Sequence, residues 1–137
     1  MEPIELLQAA KRVRGNAYTP YSDFRVGAAL LTKDGRVFLG ANVENSSLGV
    51  TICAERSAFV SAISSGARSF QAIAVVGARG GKEPSQPCPP CGICLQFMSE
   101  FCEPEFPIYL ADGNGGVHCS QLKEFLPHAF SNDRMHA

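Results

Sequence analysis

The sequence predicts an α/β protein, a mixed sheet of about five strands covered by helices on both faces in a three-layer α/β/α sandwich, and three observations lead there. Its 137 residues match one ordinary domain, so residues 1–137 are expected to form a single domain. A hydrophobic fraction of 45% with 18% charged residues suits a chain that buries a core. Finally, segments with helical spacing of apolar residues alternate with short apolar or alternating runs, the pattern of strands interleaved with helices.

Each element has a local reason. Ile4, Leu7, Ala10 and Val13 recur at helical spacing after Pro3, which predicts an amphipathic helix over residues 3–14, closed by Gly15. Tyr18-Thr19-Pro20-Tyr21-Ser22 is rich in turn formers, and Phe24, Val26, Ala28 and Leu30 then alternate as a strand. Asp34-Gly35 turns the chain into a second strand over residues 37–41, completing a hairpin. Residues 42–47 are polar and read as a loop at the strand end. Ala54, Ala58, Phe59, Ala62 and Ile63 give residues 53–65 a broad apolar face, with Gly66 placed as a left-handed cap and Cys53 and Glu55 in the first turn. Residues 72–76 are continuously apolar, as in a strand covered on both faces. The stretch 77–90 holds three Gly and four Pro and is expected to be irregular. Ile93, Phe97 and Phe101 restore helical character over residues 92–102. Strands are expected at 107–111 and 117–119, around the turn 112–116, before a short helix over 121–126 that Pro127 halts.

Composition excludes some classes of function. A net charge of −1 offers no basic footprint for nucleic acid. The opening Met1-Glu2-Pro3-Ile4-Glu5 is unlike a signal peptide, and no apolar run approaches the roughly 20 residues that span a bilayer, so no membrane association and a cytoplasmic location are expected. Under reducing conditions, six cysteines point to metal binding or catalysis before disulfides.

The chemistry concentrates in Cys53-Ala54-Glu55-Arg56 and Pro90-Cys91-Gly92-Ile93-Cys94. Cys53, Cys91 and Cys94 supply three soft ligands for one Zn²⁺, leaving a fourth tetrahedral position for water. Both segments open helices, whose free N–H groups and positive dipole ends favour thiolates. Pro87-Cys88-Pro89-Pro90-Cys91 is a second Pro-Cys-x-x-Cys, but Pro89 and Pro90 have no N–H to donate to sulfur, so Cys91 and Cys94 are the expected pair. Three thiolates around one dication leave net negative charge, and Arg56, held by Gln96, is the expected compensating cation. Glu55, beside a ligand but not itself one, is the expected proton shuttle; alone, it would read as a solvated residue in a first helical turn. A closed structural site of Cys53, Cys88, Cys91 and Cys94 is the alternative reading. Cys102 and Cys119 read as small core residues.

A zinc ligand two residues before Glu, followed by Pro-Cys-x-x-Cys, is the mark of zinc deaminases. With Tyr18-Thr19-Pro20-Tyr21-Ser22-Asp23-Phe24, Val26-Gly27-Ala28-Ala29-Leu30 and Asn42-Val43-Glu44-Asn45, the sequence resembles the short, homotetrameric cytidine deaminases over nearly its whole length. That resemblance implies a cytidine deaminase-like fold, one zinc per chain, and hydrolytic deamination of cytidine and 2′-deoxycytidine in pyrimidine salvage. It further implies that Phe24 packs against the pyrimidine, that Asn42 and Glu44 hold the ribose hydroxyls, that the Ala54 N–H binds the base carbonyl, and that Phe130 reaches a neighbouring subunit's site. There are departures. Leu95 stands where the family usually has Arg, Leu48 where it commonly has Tyr, and Cys88-Pro89-Pro90 is not its usual approach to the pair. Leu95 and Leu48 keep open a relative acting on another aminopyrimidine nucleoside or a nucleoside antibiotic.

Overall fold

The structure, a computed structural model, describes residues 1–135. Its five strands are β1 (Phe24–Thr32), β2 (Val37–Ala41), β3 (Phe70–Arg79), β4 (Pro107–Ala111) and β5 (Val117–Gln121). They form one sheet in the order β2-β1-β3-β4-β5, with β3 and β4 parallel and every other neighbour pair antiparallel. The helices are α1 (Pro3–Val13), α2 (Ala54–Ser64), α3 (Gly92–Phe101), α4 (Leu122–Phe125) and α5 (Asn132–Met135). Because successive strand residues point to opposite faces, the sheet sorts its side chains into two layers. Ala28, Leu30, Ile73, Val75, Ile108 and Leu110 meet α2, α3 and α4 in one cluster. Ala29, Ala72, Ala74, Val76 and Ala111 meet Leu6, Leu7 and Ala10 of α1 in the other. The expected sandwich is therefore present, with α1 the helix that, among the described residues, covers the second face.

The strand that carries the centre of the sheet is longer than its sequence indicates. Gly77, Ala78 and Arg79 belong to β3 and not to the irregular stretch, because the first residues of β1 give them partners: Val26 opposite Gly77, Arg25 opposite Ala78, Phe24 opposite Arg79. Gly-Ala-Arg has no β preference of its own, so pairing across the sheet overrides local propensity. Leu48–Val50 and Arg14–Asn16 form single 3₁₀ turns, and α5 adds a short helix beyond the expected elements. Cys102 packs against the core as expected, but Cys119, on the same sheet face as Tyr109 and Val117, is exposed on edge strand β5.

One glycine places the start of α2. A side chain at Gly40 would run into the Ala54 carbonyl and the Ala58 amide, so the bare β2 backbone lets the first turn of α2 press against the sheet. That turn begins immediately after Cys53.

Candidate active site

Cys53 and Cys91 occupy equivalent positions as the N-caps of α2 and α3, both with extended backbone (φ −73° for each). Cys53 thus lies one residue before the first turn in which the sequence placed it. Cys94 is the third helical residue of α3 and is fully buried. The Cys53 and Cys91 sulfurs are 3.7 Å apart, those of Cys91 and Cys94 3.6 Å, and all three lie within 4.8 Å of one another. A tetrahedral ion with Zn–S near 2.3 Å separates its sulfurs by about 3.8 Å, so the donor set fits zinc in both chemistry and spacing. Cys88 is outside this cluster among the described residues, which supports the Cys91 and Cys94 pairing and disfavours a closed four-cysteine site.

Proton sharing among the sulfurs follows from their crowding. Cys53 is lowered to about 5, chiefly by a hydrogen bond from Cys94 and next by Arg56. Cys94 is correspondingly raised, first by Cys53 and then by burial. A bound dication would leave all three sulfurs as thiolates, since a coordinated thiol is deprotonated. Arg56 stands beside this cluster: its Nη2 lies 3.7 Å from Cys53 Sγ and donates to the Thr51 carbonyl at 3.2 Å. Gln96 does not hold Arg56. It is exposed, and its Nε2 donates to the Phe130 carbonyl at 2.8 Å, fastening the C-terminal segment to α3. Helical spacing explains the difference: Leu95, the next residue, takes the core-facing position, so Gln96 turns outward.

Glu55 is the second residue of α2, only 4% exposed. Its carboxyl is raised to about 7, first by burial, and the Cys53 charge adds to the rise. A buried carboxyl that lies beside the three sulfurs without belonging to their cluster is placed to move a proton there.

The substrate-contact candidates form a rim at the start of β1. Phe24 is 41% exposed. Asn42 is buried, its Oδ1 accepting from Val26 N at 2.8 Å and its Nδ2 donating to the Phe24 carbonyl at 2.9 Å, so it clamps the backbone on both sides of Arg25. Glu44 accepts from the Tyr21 and Ser22 N–H groups at 3.0 and 3.1 Å and from the Ser22 hydroxyl. The Ser22 hydroxyl is the main reason its carboxyl lies below the ordinary value. Both side chains thus brace the turn that presents Phe24, a role the sequence reading did not assign. Ala54 is buried as the first residue of α2, and Phe130 is 61% exposed. Beside Phe24 opens a cleft of about 460 Å³ lined by Gly77, Arg79, Lys82, Gln86 and Cys88 among others. Gly77 escaped the sequence reading as a cleft residue, and Cys88 was weighed there only as an alternative metal ligand. The available signal was a glycine ending the run Val75-Val76-Gly77, which marks a close approach: a side chain there would meet Cys88 Sγ and the Phe24 ring at 2.7 and 3.0 Å.

Three converging thiols with a fourth position for water and a buried, non-ligating carboxylate define a catalytic zinc centre on an α/β/α sandwich. Residues 2–110 match the model of the cytidine and deoxycytidylate deaminase zinc-binding region. The chain is 44% identical over 133 residues to a cytidine deaminase of Sporosarcina psychrophila, covering 97% of this chain and 94% of that protein. A cytidine deaminase of Halalkalibacterium halodurans is 46% identical over 130 residues, with 95% of each chain covered. The crystal structure of a cytidine deaminase from Burkholderia pseudomallei superimposes with a TM-score of 0.86 at 47% identity, over 95% of this chain and all of that one. This chain belongs to the cytidine and deoxycytidylate deaminase zinc-binding family.

Proposed function

We propose that the protein hydrolyses cytidine and 2′-deoxycytidine to uridine and 2′-deoxyuridine with release of ammonia. The observation that carries this reading is the burial of Glu55 two residues from Cys53, against a three-sulfur cluster of zinc dimensions. Cys53, Cys91 and Cys94 would hold a zinc ion, which would supply an acidified water and a Lewis acid beside it. Glu55 accepts a proton from the attacking water and gives it to N3 while the water oxygen bonds to C4. Glu55 then moves the remaining hydroxyl proton to the amino nitrogen. The C4–N bond breaks, ammonia leaves, and the base keeps a C4 carbonyl with a protonated N3. Arg56 offsets the sulfur charge throughout.

The rim binds the rest of the nucleoside. Phe24 offers a ring face to the pyrimidine, and Asn42 and Glu44 direct their remaining lone pairs to the ribose hydroxyls. The Ala54 N–H, one of the donors a helix N-terminus leaves free, takes the base carbonyl. Phe130, exposed and anchored through its carbonyl by Gln96, completes a neighbouring subunit's site in a homotetramer. Exposed Leu48, Val50, Ile52 and Ile93 support such burial between copies. In this reading residues 1–137 are one catalytic domain serving pyrimidine salvage in the cytoplasm.

The test follows cytidine absorbance with purified, zinc-assayed protein. Loss of the 4-amino chromophore that stops on chelation and returns with added zinc is expected. An unchanged spectrum at stoichiometric zinc overturns the proposal. Sedimentation is expected to give four chains, and a fully active monomer refutes the tetramer.

A further inference from the structure

Arg14, immediately after α1, is 9% exposed, and among the described residues no carboxylate lies within ion-pair distance of it. Glu83, which senses its charge, pairs instead with Lys11 at 2.8 Å. A cation withdrawn from water needs other oxygens. Nη2 of Arg14 finds them in the Gly80 carbonyl, at 3.2 Å, and the Lys82 carbonyl, the two sides of one tight turn. Gly80 in turn donates its N–H to the Asp23 carbonyl at 2.7 Å. Asp23 adopts φ +57°, a left-handed conformation uncommon for residues with a side chain although Asp tolerates it better than most. Its N–H is tied to the Thr19 carbonyl at 3.0 Å, so both backbone polar groups of this residue are engaged. The next residue is Phe24. The turn Arg14 holds also contributes Lys82 to the cleft in which Phe24 stands.

We propose that Arg14 is a positioning residue for substrate binding: its buried guanidinium fixes the 80–82 turn, which locks Asp23 and thereby sets the direction of the Phe24 ring. The proposal rests on the reading of Phe24 as the pyrimidine contact. A ring that stacks on the base alike in substrate and transition state contributes uniform binding, so its misplacement raises KM and spares kcat. A purely structural arginine would instead lower the melting temperature without moving KM.

The experiment compares the zinc-loaded wild type with Arg14→Met, Gly80→Ala, their double variant and Phe24→Ala, reading zinc content, melting temperature, kcat and KM for cytidine. Gly80→Ala attacks the next link, because a Cβ at its φ of +52° is strained and lies 3.1 Å from Asp23 Oδ2. Arg14→Met is expected to raise KM about tenfold with kcat within about twofold and zinc unchanged. Gly80→Ala is expected to raise KM likewise, and the double variant no further than the larger single effect, since both break one linkage. If Phe24→Ala raises KM while Arg14→Met and Gly80→Ala leave it unchanged, the proposal is overturned and the role of Phe24 stands. Unchanged KM in Phe24→Ala removes the role of Phe24 and the proposal with it. Should Arg14→Met not fold, Gly80→Ala decides by the same criterion.

Discussion

Cys53 and Cys91 cap helices whose inner faces, with Ala58, Phe59 and Met98, are wholly excluded from solvent, and beneath them Phe59 packs edge-on against Phe70 and Phe97. Tyr21 and Phe24, a few residues of chain away from the core, are 56% and 41% exposed, and the turn carrying them is held by hydrogen bonds to the Glu44 carboxylate, to and from the Asn42 amide, and from the Gly80 N–H. The metal centre is thus placed by apolar packing and the substrate rim by polar clamps at the surface. Close packing holds the ligand-bearing helices rigidly, as a catalytic constellation requires. The clamps hold the proposed binding surface, where a disturbance is expected to change affinity before chemistry.

The comparison is broken most directly at the centre. Cys94→Ala is expected to abolish both zinc retention and turnover, by metal analysis and assay, because two thiolates cannot complete the site. Glu55→Gln is expected to keep zinc and lose about 10² to 10⁴ in kcat, and near-wild-type turnover would remove the proton-shuttle role. Asn42→Ala tests the rim. Loss of its two backbone hydrogen bonds is expected to cost about 1–3 kcal/mol in denaturant unfolding and to raise KM more than it lowers kcat. Glu44 sharpens the contrast through pH. Its folded pKa lies below the ordinary 4.5, so its contribution is complete above that value and disappears as pH falls through the depressed one. The melting-temperature difference between wild type and Glu44→Gln is therefore expected to be small, largest near neutrality, and to vanish in acid. Cys88→Ala should have the least effect on the centre, leaving zinc stoichiometry unchanged; half-loss of zinc would reopen the four-cysteine site.

The legibility of these two regions differed for the same physical reason. Each metal ligand segment is local, a few residues whose cap and first turn follow from their own sequence, so Cys53, Glu55, Cys91 and Cys94 were readable before any fold was known. The α1 helix and the Asp34-Gly35 hairpin were readable likewise, the latter turning with Gly35 at φ +91°. Gly77 to Arg79 were not, because their strand exists only through partners in β1, and the bracing role of Asn42 depends on the same neighbour. Gln96 was misassigned for want of the helix phase that sends Leu95 inward.

The sequence by itself determined the ligand set, its non-ligating carboxylate, the order of helices and strands and the membership of a zinc deaminase family, since these rest on residue type and short spacing. Tertiary structure alone decided the strand order, the 3.6 to 3.7 Å convergence of sulfurs from two helices, the burial that raises Glu55 to about 7 and the clamps that aim Phe24. Those properties depend on distances between residues far apart in the chain and on exclusion of water, neither of which is a property of any short segment.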